Sequence, residues 1–66
     1  MTPAEQIKAI RAGTGLSQAS FARVYEIPKR TIENWEAGVR VPPPYLIRLL
    51  ELAVQALPPE KLEDPG

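Results

Sequence analysis

The sequence predicts an all-α fold, a compact bundle of four to five short helices. Apolar residues recur at three- and four-residue spacing, and no stretch shows the strict alternation of a half-buried strand. Helix-start residues (Thr2, Ser17) and helix-stop residues (Gly13, Gly15, Gly38) recur at short intervals. Prolines at 28, 42–44 and 58–59 punctuate the periodic segments. Sixty-six residues make one domain at most. That domain is expected over 1–57, with 58–66 as a flexible acidic tail.

Thr2-Pro3-Ala4-Glu5 has the form of a helix start. Thr2 can cap, Pro3 suits the first helical position, and Glu5 can reach back to complete a capping box. Ile7 and Ile10 supply the apolar stripe of this first helix. Gly13 and Gly15 end it, with Arg11 in its last turn. Ser17 is the natural cap of a second helix, Gln18 to Val24, whose inner face holds Phe21, Ala22, Val24 and Tyr25. Ile27 precedes Pro28 and is therefore biased away from helix, which separates the second helix from a third over 28–36. Gly38 stops the third helix. A fourth runs from Pro44 to Leu57 and ends at Pro58-Pro59.

Composition excludes several functions. The chain has no Cys and no His, which removes thiol and imidazole catalysis, disulfides and the usual zinc sites. No nucleophile–base pair or carboxylate cluster stands out, so neither an enzyme nor a cofactor or metal site is expected. No apolar run is long enough to cross a bilayer, and none resembles a signal peptide. The expected setting is cytoplasmic, with no membrane partner. The net charge of zero hides an asymmetry. Up to Arg48 there are seven basic and four acidic residues, a balance of +3. From Leu49 onward one basic and four acidic residues leave −3. A basic body with an acidic tail can still meet phosphate.

The third helix has two faces. At 100° per residue Ile32 and Trp35 share one apolar edge, which assigns Trp35 to the core rather than to base stacking. Arg30, Asn34 and Ala37 lie opposite, flanked by Lys29, Thr31 and Glu33. Arg can pair with guanine, Asn with adenine, and Lys and Thr serve phosphates or base edges. The alternative is a solvated, ion-paired surface. The tight spacing of the second and third helices favours DNA.

Leu16-Ser17-Gln18, Phe21-Ala22, Ile27, Thr31-Ile32, Trp35-Glu36 and Gly38 together resemble the signature of the Xre/lambda-repressor-like helix-turn-helix regulators. The run Thr31 to Arg40, with Pro42 and Leu49-Leu50, is especially similar to their HigA-type antitoxin and phage-regulator branch. The resemblance covers roughly Ile7 to Ala56. It implies a lambda-repressor-like DNA-binding domain that reads operator DNA, commonly as a dimer. It implies DNA contacts from Ser17 and Gln18 at the start of the second helix and from Lys29, Arg30 and Thr31 at the start of the third. Glu33 and Asn34 follow on the same helix, and Arg40 in the loop after it. Arg11 and Glu36 are expected to form a structural ion pair between helices. The chain departs from the family pattern at two places. Glu26 stands where Gly is usual in the turn, so a different turn conformation is expected there. Pro28 stands where Ser or Thr usually caps.

The fourth helix is apolar over roughly 220° of its wheel, against the ~100° of an ordinary surface helix. Leu46, Leu50, Ala53 and Leu57 can fill the core. One flank then remains over, either Tyr45, Leu49, Leu52 and Ala56 or Ile47 and Val54. The first set is the candidate homodimer interface. The expected function is a sequence-specific regulator of double-stranded DNA, a repressor, reading an inverted-repeat operator with helix 28–36. The rival is a protein-interaction module, such as an antitoxin that binds a toxin through the same fold.

Overall fold

The computed structural model describes residues 1–62, the last two as backbone only. Five helices follow one another: α1 (Pro3–Thr14), α2 (Gln18–Val24), α3 (Lys29–Ala37), α4 (Pro44–Ala56) and α5 (Pro59–Leu62). No strand occurs among the described residues. α1 packs on α3 and α4, and α2 packs on α3.

Local chemistry sets the starts. The Thr2 hydroxyl accepts from the Glu5 amide at 3.1 Å, and the Thr2 amide donates to Glu5 Oε1 at 2.8 Å, a complete capping box. That contact holds the Glu5 carboxyl below the usual range. The Ser17 hydroxyl accepts from the Ser20 amide at 3.1 Å and caps α2. α1 runs through Gly13 and ends at Gly15, which takes the left-handed conformation (φ 75°). Gly13 is therefore not a stop, because the left-handed residue that closes the helix comes two positions later.

α3 begins at Lys29 and ends at Ala37, each one residue later than expected. Pro28 stays extended (ψ 133°), and its carbonyl accepts from Thr31 and Ile32. α4 ends at Ala56, because Leu57 precedes a proline and takes a non-helical conformation. The segment expected to be a flexible acidic tail, 58–66, opens with one helical turn, α5. Its remainder lies outside the described residues.

Ile7, Phe21 and Ile32 have no exposed surface, and Ala22, Ile47 and Leu50 complete the core. Burial of each large side chain contributes about 1.5–3 kcal/mol. Ile10, Leu16, Tyr25, Ile27, Trp35 and Val54 pack around this centre. Trp35 is only half-buried and lines an apolar groove with Ile27, Leu46, Leu49, Leu50 and Ala53. The fold also chooses between the two flanks of α4. Ile47 and Val54 face inward. Tyr45, Leu49 and Leu52 stay 68%, 58% and 44% exposed, and Ala56 is exposed beside them. Leu57 is corrected from core to surface. It lies past the helix end, and its carbonyl accepts from the Tyr25 hydroxyl at 3.0 Å.

Candidate nucleic-acid interface

Four residues separate α2 from α3, and their hydrogen bonds form a closed turn. The Ile27 amide reaches back to the Ala22 carbonyl at 2.8 Å, and the Glu26 amide to that of Arg23 at 3.3 Å. This six-to-one, five-to-two pattern is a Schellman ending, which requires a left-handed residue between helix and exit. Glu26 occupies that place with φ 56°. The sequence expectation of a different turn is thus corrected. Two backbone bonds and the docking of Ile27 on the core hold a non-glycine residue in a conformation that costs ~1–2 kcal/mol. The same device ends α3. Gly38 is left-handed (φ 78°), and the Asn34 carbonyl accepts from the amides of Val39 and Arg40.

One carboxylate organises the three helices behind this surface. Glu36, on the buried edge of α3, is 3% exposed at its side chain. Arg11 of α1 grips it with both prongs, Nε to Oε2 at 2.7 Å and Nη2 to Oε1 at 2.9 Å. Arg11 Nη1 also donates to the Leu16 carbonyl at 3.0 Å. Gln18, the first residue of α2, donates Nε2 to Glu36 Oε1 at 3.1 Å. The bond from Arg11 holds the Glu36 carboxyl below the usual range, with Gln18 assisting against the opposing effect of burial. The same bond raises Arg11. Both groups are therefore charged. The expected interhelical ion pair is present, and its partners do not face outward.

The remaining candidates fall into three places. Ser17 and Gln18 stand at the start of α2. Gln18 is half-buried and tied to Glu36 by one amide hydrogen, which leaves its second to donate outward. Lys29, Arg30 and Glu33 are exposed on α3, with Thr31 and Asn34 half-buried at its margin. The start of α3 carries no side-chain cap, and the exposed Lys29 and Arg30 stand in that first turn. Lys29 Nζ lies 3.9 Å from Glu33 Oε2, one turn along, which is a weak surface pair. Arg40 is exposed beyond the far end of α3, whose nine residues rise ~13 Å. The tie between Gln18 and Glu36 was not legible in sequence, although both residues belong to the helix-turn-helix pattern. The link from Tyr25 to Leu57 was not legible either. It joins the turn to the end of α4 across 32 positions.

Among the described residues no group of His, Cys, Asp or Glu is placed to share a metal ion. No helix among them is long and apolar enough to cross a membrane.

The profile of the helix-turn-helix family matches residues 7–62. The chain is similar to antitoxin HigA-2 of Vibrio cholerae serotype O1, 40% identical over 48 residues that make up 73% of this chain and 46% of the relative. It thus spans about half the length of that curated relative. No solved structure matches it.

Proposed function

The chain belongs to the helix-turn-helix family, in its Xre/lambda-repressor-like branch, and from that membership we propose that it is a sequence-specific DNA-binding regulator, acting as a repressor. The observation that carries this reading is the exposed first turn of α3. Lys29 and Arg30 stand there beside uncapped backbone amides, on a helix whose other edge is locked by Glu36. Arg30 and Asn34 supply discrimination between base pairs, and Lys29, Thr31, Ser17, Gln18 and Arg40 supply phosphate contacts. Glu33, beside Lys29 on the same face, repels phosphate and so adds no affinity for the backbone.

Two protomers related by a two-fold axis would set two copies of α3 in successive major grooves, ~34 Å apart, over an inverted-repeat operator. The exposed flank Tyr45, Leu49, Leu52 and Ala56 is the proposed interface. Repression follows from steric block of polymerase. The test is selection of a random duplex pool by the native chain and by an Arg30→Ala, Asn34→Ala double variant. Enrichment of an inverted repeat by the native chain alone supports the reading. Equal enrichment by both chains, or by neither, overturns it.

A second reading has one observation in its favour, the similarity to a protein named as an antitoxin. In that reading the same fold also holds a toxin partner. A steep loss of DNA binding with salt marks phosphate contact, and absence of DNA binding at low salt favours the partner role.

A further inference from the structure

The exposed residues of α4 have a pattern of their own. Tyr45, Leu49, Leu52 and Ala56 follow one another at intervals of four, three and four. That is the spacing of a coiled-coil seam, two apolar positions per seven residues. A seam of this kind fits another helix laid along it, not a loop or a small ligand. The two flanks of the seam differ. On one side stand Arg48 and Gln55, both exposed. On the other stand Leu46 and Ala53, half-buried beside the apolar groove that Trp35 and Ile27 complete.

These flanks select an orientation. A parallel pair of α4 helices would set each apolar flank against the polar flank of its partner. An antiparallel pair sets like against like, so Arg48 faces the partner's Gln55, and Leu46 faces the partner's Ala53. Arg donates to the Gln carbonyl oxygen, and no like charges meet. Side-chain size fits the same arrangement. With the two-fold axis between positions 50 and 51, Tyr45 meets the partner's Ala56 and Leu49 meets the partner's Leu52. The largest side chain of the seam therefore opposes the smallest, and the two medium ones oppose each other, which fills the interface evenly.

We infer that the chain self-associates through an antiparallel pairing of α4 with α4 of a second copy, in the register Tyr45–Ala56 and Leu49–Leu52. This rests on the proposed dimeric regulator and specifies its interface. An antiparallel pair is isologous, as the two-fold symmetry of an inverted repeat demands. Three turns of helix make an interface below the standard size, so the dimer is weak and is completed at the operator.

Cysteine cross-linking tests the register, because the native chain has no Cys to interfere. Tyr45→Cys and Ala56→Cys chains are mixed, oxidised and resolved by mass spectrometry. Leu49→Cys with Leu52→Cys forms a second pair. In each mixed dimer only one end of the seam is altered. All four positions are exposed, and helical circular dichroism verifies each fold. The expected result is that mixed cross-linked dimers dominate over both like-with-like products. Dominance of like-with-like products means a parallel seam and overturns the inference. So does absence of cross-links while the native chain still sediments as a dimer, which places the interface elsewhere and leaves the dimeric regulator standing. A native chain that stays monomeric at high concentration and on DNA overturns both.

Discussion

Replacing Glu36 by Gln removes one charge from a site with little water and changes almost no volume. Gln keeps one acceptor oxygen, but the other position becomes an amide that faces an Arg11 N–H, donor against donor. Glu36 accepts two bonds from Arg11, at 2.7 and 2.9 Å, and one from Gln18. A hydrogen bond to a charged group contributes about 1.5–3 kcal/mol. Arg11 is 23% exposed and recovers some hydration when its partner is lost, so the net cost is taken near the lower end, about 2 kcal/mol. In a domain of this size that lowers Tm by about 8–16 °C.

The effect depends on pH. The folded Glu36 carboxyl lies below its ordinary value. Its stabilisation is therefore complete above the unfolded value of about 4.3 and is lost as pH falls through the folded one. Thermal melts of both chains, followed by circular dichroism from neutral pH downward, should show a gap that is full at neutral pH, begins to narrow below about pH 5 and closes only as pH falls through the depressed folded value. Glu5 is also held low, but it titrates in both chains and cancels in the difference. A gap that stays constant with pH would falsify the assignment of Glu36 as a buried charged tie. So would a variant as stable as the native chain.

Four further outcomes are expected. Arg30→Ala should cost about 1–3 kcal/mol on the selected operator and relax preference at one base pair, measured by binding to a panel of point-mutated sites. Arg40→Ala should weaken binding to all sequences alike and lower the salt slope by about 1, which titrations at several salt concentrations will show. Glu26→Gly should raise stability by about 0.5–1 kcal/mol, because relief of left-handed strain outweighs the added freedom of the unfolded chain; denaturant unfolding would reveal a loss instead if Glu26 were unstrained. Phe21→Ala, at a position with no exposed surface, should cost about 3–5 kcal/mol and leave the chain largely unfolded by circular dichroism.

The readable part of this protein was the part governed by neighbours in sequence. The capping box at Thr2, the cap at Ser17 and the left-handed glycines at 15 and 38 act within a few residues, so their spacing alone predicts where helices begin and end. The residues exposed on α3 were legible for the same reason. Ile32 defines the inner edge, and helical periodicity then places Arg30 and Glu33 outside. Where a local preference was weak, only the packed structure decided. Glu26 has no intrinsic reason to be left-handed, but the bond from Ile27 to Ala22 and the docking of both on the core leave it no alternative.

The choice between the flanks of α4 is of the same kind. An apolar arc of roughly 220° fits the core in more than one rotation, and the position of α1 determines that Ile47 goes in while Tyr45, Leu49 and Leu52 stay out. The carboxylate of Glu36 joins residues 25 and 18 positions away, contacts that periodicity cannot express. By itself the sequence determined the first four helices, their ends to within a residue or two, and the outward face of α3, because those depend on neighbours a few positions apart. The tertiary structure alone decided the turn at Glu26, the Gln18 arm of the tie at Glu36 and the free face of α4, because each depends on which distant surfaces meet.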